Sequence, residues 1–390
     1  MEFLVSRYRS LFASLCLTGG FAASMIAGLS GCAASTQKTE SITPAVSSAG
    51  PFPADFEAWS KVKYRLDWSG FPFPLLGQHR TQEVVPFPDM LAVLDASSNV
   101  AVLETSTGER RWGDELANPL TKFVAVSRDP MDAGRIIVSS QSEAFVISAT
   151  TGTLLARETF ARVVNTRPVI AGNIMIFGTS TGEVLGHLLG RNLKAWGFQG
   201  KGPITADPVR LADGTIGIVS QAGDVMFLTP RGNMVGRGTI LGGLMTNPVT
   251  DGNLMYMAGL DQSVWCFAPS GALIWRHRTA SPLRTQPTMQ NGVLYCDIPR
   301  EGLTALEGLS GKVLWSNPKV SGTVIGSRGG RALVFDSTGK TLALVDPVDG
   351  ALVDSILLPG IVRIVADAQE NPNLYAVSDK GVVGKFIPRD

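Results

Sequence analysis

The chain has 390 residues, with 34 Lys+Arg against 33 Asp+Glu and a formal charge of +1. That balance excludes the basic footprint of a nucleic-acid binder and a polybasic surface for anionic lipid. Only 17% of residues are charged and 43 are glycine, so turns are many and apolar cores extensive.

Arg7 and Arg9 open the chain with a short basic region, and residues 10–30 are uncharged and apolar or small. These flanks and this length predict a signal peptide over residues 1–31. A permanent membrane span fits poorly, because Gly19, Gly20, Gly28 and Gly31 interrupt the stretch. Its end, Leu29-Ser30-Gly31-Cys32, resembles the bacterial lipobox. The resemblance implies cleavage before Cys32 and lipidation of its thiol and new amino end, with several acyl chains making a durable anchor. Ala33 follows, where an Asp would imply retention in the inner membrane, so the expected address is the outer membrane, facing the periplasm. Without residues 1–32 the basic and acidic side chains balance at 32 each. Residues 32–55 combine the lipidated Cys with a stretch rich in Ala, Ser, Thr, Pro and Gly, which predicts a flexible tether.

From residue 56 to 390 one phrase returns about every forty residues. Pro168-Val169, Pro208-Val209, Pro248-Val249 and Pro287-Thr288 mark its start, and Gly232, Gly271, Gly311 and Gly350 mark a turn. Trp112, Trp275 and Trp315 stand four residues after Gly108, Gly271 and Gly311. A period of this size means one small unit copied and stacked. In the clearest copy, residues 253–258, 264–267 and 272–275 are short β-branched or aromatic runs bounded by Gly, Pro, Asn or Ser. No long helical periodicity follows the signal, so each unit is read as a four-stranded antiparallel sheet. Third strands recur at 100–103, 144–147, 184–187, 225–228, 264–267, 303–306, 342–345 and 382–385. That makes eight copies, or seven if the weak copy at 124–157 is set aside. The last copy stops without a fourth strand. Residues 63–68, ending in Trp68, supply it from the other end of the domain and close a ring. The expected fold is all-β: an eight-bladed β-propeller over residues 56–390, with a seven-bladed ring as the alternative.

Residues 102–108 with Trp112, 305–311 with Trp315, and 344–350 resemble the repeat of pyrroloquinoline-quinone-like propellers, Ala-x-Asp-x-x-Thr-Gly-x-x-x-Trp. Eight such repeats behind a lipobox resemble the BamB family of outer-membrane barrel-assembly lipoproteins. That resemblance implies a non-enzymatic scaffold whose partners are envelope proteins, among them the barrel-assembly machinery. The repeat also occurs in quinoprotein dehydrogenases, which carry a vicinal Cys-Cys pair over the quinone and Glu, Asn and Asp around a calcium. This chain has no Cys-Cys and no Cys-x-x-Cys-His, and neither cofactor, metal nor nucleic acid is expected.

Other chemistry is sparse. His79, His187 and His277 fall in separate copies without metal-ligand spacing, and His187 replaces an apolar strand residue, which predicts a packed imidazole. Cys16 lies in the signal, and Cys266 and Cys296 align to different strands of neighbouring units, which favours free thiols over a disulfide. No catalytic residue is nominated. The tryptophans are read as interblade packing. The candidate site is a rim of polar residues leading into the inner strands: Asn165, Arg167, Asp207, Asn247, Arg284, Gln286 and Arg363. These either satisfy turn backbone groups or bind a partner peptide or loop. Residues 118–135 look like a long polar connection of the kind that carries binding. The alternative function is a binding module for an envelope glycan, peptide or small molecule in the channel, with a quinoprotein-type enzyme behind both.

Overall fold

A computed structural model describes residues 52–73 and 81–389. The expected signal peptide, Cys16, Cys32, His79 and the tether up to residue 51 lie outside the described residues.

Eight four-stranded antiparallel sheets form the ring. Blade 1 runs from the inner strand Thr81–Pro86 to the outer strand Arg110–Glu115, and blade 2 from Phe123–Arg128 to Leu154–Thr159. Blades 3 to 7 begin at Val169–Ala171, Val209–Arg210, Val249–Thr250, Thr288–Gln290 and Thr323–Arg328. Blade 8 holds Ile361–Ala366, Leu374–Ser378 and Val383–Pro388, and its outer strand is Tyr64–Gly70. That strand pairs from Tyr64↔Pro388 to Gly70↔Val383, with a bulge between Leu66 and Trp68. The ring therefore closes as expected, with eight blades and not seven, because the weak copy is a complete sheet. Residues 118–135 are not one loop: they contain the inner strand Phe123–Arg128, whose Phe123, Ala125 and Val126 are buried.

Buried apolar side chains fall into eight clusters, one at each seam between neighbouring blades. Five seams share one latch. Trp68, Trp112, Trp196, Trp275 and Trp315 each donate their indole N–H to a backbone carbonyl of the next blade (Thr105, Ala149, Pro230, Gly308 and Pro347) at 2.8–2.9 Å. Each ring also lies on that blade's turn glycine. At Gly152 (φ +76°) an added Cβ would sit 2.7 Å from Trp112, and at Gly350 (φ +74°) 2.3 Å from Trp315. Glycine is thus needed twice there, for a left-handed turn and for a flat seat under the indole.

The other three seams use different devices. Between blades 2 and 3, Ala156 stands where the others have Trp. The nearby Glu158 is buried, with one carboxylate oxygen 2.7 Å from Nε2 of buried His187 and the other accepting the Gly190 N–H at 2.7 Å. Phe160 meets the imidazole edge-on at 5.1 Å. His187 is indeed a packed core residue. Glu158→Ala is expected to cost about 1–3 kcal/mol in denaturant unfolding, because it leaves a buried imidazole and an N–H without their acceptor. Between blades 4 and 5, Gly236 lets the backbones touch: its Cβ would fall 2.1 Å from the Ser270 carbonyl carbon.

Between blades 7 and 8 the device comes from the N-terminus. The helix Phe56–Lys61 is one short turn and a half, capped by Asp55, whose carboxylate accepts the N–H groups of Glu57 and Ala58 at 3.0 and 3.1 Å. It inserts Trp59, which stacks on Phe386 at 3.6 Å, beside Phe52 and Val62. No helix is expected here from the sequence. Six residues hold too few turns to show a helical period, and the buried core already includes Phe52, inside the stretch read as tether.

Candidate functional site

The rim residues enter the inner strands some forty positions apart, which puts equivalent side chains on adjacent blades. Four of them form a chain across blades 3 to 6. Asp207 accepts the Arg167 backbone N–H at 2.8 Å, Asn247 accepts that of Asp207 at 2.8 Å, and Gln286 accepts that of Asn247 at 3.0 Å. Two amide donors complete it: Asn247 Nδ2 to the Asp207 carboxylate at 2.8 Å, and Gln286 Nε2 to the Asn247 carbonyl at 3.0 Å. Backbone groups of loops that lack a sheet partner are thereby satisfied blade to blade. Asn165 is not a member of this chain; its side-chain oxygen lies 3.4 Å from Gln141 Nε2.

The Arg167 guanidinium reaches blade 1, where Nη1 lies 2.5 Å from a carboxylate oxygen of Glu83, and its Nε lies 3.5 Å from Asp207. Glu83 is only 4% exposed. Burial pushes its carboxyl up, and the charges of Arg167 and Arg363 oppose that rise. Asp207 is likewise pushed up by burial, against the Arg167 N–H and charge and the Asn247 amide. Desolvation lowers the proton affinity of Arg363, which Glu83 partly restores. Glu83 is not among the rim residues expected from the sequence. The residue lies 84 positions before Arg167, and its strand lacks the Pro-Val lead-in that marks Asn165, Arg167, Asp207 and Asn247.

Arg284 and Arg363 stand apart from the chain. Arg284 is exposed, its nearest polar neighbour being the Met245 sulfur at 2.8 Å. Arg363 lines a cavity of about 610 Å³ at the same mouth, with Thr81, Gln82, Lys122 and Asp379 in its wall. The rim thus contains a bonded half and two arginines that present charge to solvent.

Among the described residues, no three His, Cys, Asp or Glu side chains are grouped to hold a metal ion. Cys266 and Cys296 are free and buried, with burial pushing both thiols up to about 12.

The chain resembles many solved structures, among them the following two. The crystal structure of BamB from Moraxella catarrhalis aligns with a TM-score of 0.64 at 17% identity, covering 80% of this chain and 98% of that one. The computationally designed Ika8 protein aligns with a TM-score of 0.65 at 12% identity, covering 83% and 99%. At these identities both speak for the fold alone. No curated protein matches the chain. The family described as outer membrane protein assembly factor BamB matches residues 61–196, 96–241 and 221–386, which span the propeller from the closing strand to blade 8. By that match the chain belongs to the BamB family of PQQ-like propellers.

Proposed function

We propose that this protein is a non-enzymatic scaffold, anchored by lipid at Cys32 to the periplasmic face of the outer membrane, which holds other envelope proteins during outer-membrane protein assembly. The observation that carries the reading is the family match over the whole propeller. The rim supports it. A ring closed at all eight seams is a rigid platform, and Arg284, Arg363 and Lys122 present positive charge at one mouth. An acidic loop or strand of a partner fits that mouth, and desolvation at the channel would strengthen its pairing. For the anchor the support is the tetrapeptide ending in Cys32, and among the described residues no helix is long and apolar enough to cross a membrane.

One fractionation and capture experiment tests both parts. Cys32→Ser is expected to move the protein out of the membrane fraction. Arg284→Ala with Arg363→Ala is expected to reduce capture of barrel-assembly proteins from solubilised envelopes about 10-fold or more while the thermal melt stays unchanged, as for charges at an interface. Arg167 is left intact because its pair with Glu83 supports the fold. Full capture by the double variant would refute the rim as the partner site. Calcium and pyrroloquinoline quinone added to the protein should leave its visible spectrum unaltered, and a new quinone band would return the enzyme reading.

A further inference from the structure

At the mouth opposite the rim, a cavity of about 330 Å³ lies among blades 6, 7 and 8. Its walls include Asn291 from the inner hairpin of blade 6, Tyr295 behind it, the Gly330 turn of blade 7, and Glu370 from the inner loop of blade 8. The size falls in the range of small-ligand sites.

Tyr295 is only 5% exposed, and its hydroxyl has no hydrogen-bond partner among the described residues. Its ring is taken up in the seam, 6.0 Å from that of Trp315. A repeat elsewhere in the ring shows what is missing. In blade 5 the equivalent residue is Tyr256, also 6.0 Å from its seam tryptophan, Trp275. There the hydroxyl donates to Asp251 at 2.9 Å. The registers Val249↔Tyr256 and Thr288↔Tyr295 align Asp251 with Gln290. Gln290 instead turns its amide toward the Gln369 carbonyl, at 3.4 Å. The Tyr295 hydroxyl therefore faces the cavity without the acceptor that its twin has. The residue is buried as a whole, but its oxygen keeps accessible surface in the cavity, where a ligand or water can take the place of that acceptor.

The remaining polar wall is rich in acceptors. The carboxylate of Glu370 and the side chain of Asn291 have no side-chain partner among the described residues, and Glu370 is the one charged residue in the lining. Val293, Ala332 and Pro347 add an apolar flank that suits a methylene stem. From this placement we infer a second binding site, for a small cation that carries N–H donors on a short aliphatic stem: an alkylguanidinium or alkylammonium group. It donates to Glu370 and to the Tyr295 oxygen, while the phenol proton turns to Asn291 or water. The site is independent of the rim and of the assembly role. Such a group could arrive as a free polyamine-like molecule or as an arginine side chain on a partner.

Titration of the whole protein with agmatine and with the peptide Gly-Arg-Gly, followed by NMR or calorimetry, decides this. Saturable binding of agmatine in the millimolar range is expected, weakening with salt. Tyr295→Phe should lose about 3- to 10-fold in affinity, and Glu370→Gln about 10-fold. Both variants should keep the wild-type melting temperature, since neither side chain has a partner to lose. If the peptide binds as tightly as agmatine, the cation is presented by a protein. If agmatine alone binds, it is a free small molecule. Absence of saturation by either probe, or wild-type affinity in both variants, would overturn the site.

Discussion

A chain that starts at residue 71 is expected to lose cooperative unfolding and to aggregate, although seven of its eight blades would be covalently complete. Removing residues 52–70 takes away the outer strand of blade 8 and leaves Val383–Pro388 as an unpaired edge. Two seams open together. The seam between blades 8 and 1 loses Trp68 and its bond to the Thr105 carbonyl at 2.9 Å. The seam between blades 7 and 8 loses Phe52, Trp59, Val62 and Tyr64. Exposed strand edges and apolar faces of this kind template association. Size-exclusion chromatography and a thermal melt read the outcome. A synthetic segment covering residues 52–70 should restore the monomer and the melt. A monomeric, cooperatively melting truncation would show that the ring does not need its N-terminal closure.

The second large effect is expected at a single seam. Trp112→Ala should lower stability by about 3–5 kcal/mol, the range for emptying a buried aromatic site. Trp112 is 8% exposed, fills the gap over Gly152 and satisfies the Ala149 carbonyl at 2.9 Å. Trp112→Phe should cost less, since part of the ring volume remains and one hydrogen bond is lost. Trp196 is only half-buried, so its alanine variant should fall below that of Trp112. Trp112 and Trp315 serve separate seams, and their effects should add. Denaturant midpoints at constant slope measure all of these. A loss below about 1 kcal/mol for Trp112→Ala, the level of a surface substitution, would mean that the indole is not the latch.

Much of this architecture could be read from residues close in sequence. A Pro before an inner strand, a left-handed glycine in a hairpin and a Trp four positions later are local signals, and each hairpin is a local structure. Even the long-range closure was legible, because Trp68 repeats the mark of a fourth strand and blade 8 lacks one. What escaped was whatever departs from the period or depends on distance. Trp196 follows its turn glycine Gly190 by six residues rather than four, so it did not stand out as a latch. Trp59 fills a seam from outside the repeat, on a helix too short to declare itself. Glu83 joins the rim only because the ring bends blade 1 round to face blade 3.

By itself the sequence determined the repeat, the order of its copies and the strand that completes the ring, because periodic apolar runs with fixed turn chemistry permit one stacking and one closure; that the weak copy at 124–157 is a full eighth blade took the structure. Only the tertiary structure decided which polar residues hold the molecule together and which face outward. Arg167 and Arg363 are alike as residues, yet one is bound to Glu83 and Asp207 while the other lines an open cavity. The difference lies in what curvature brings within hydrogen-bonding distance, and that is a property of the ring, with no counterpart in any one repeat.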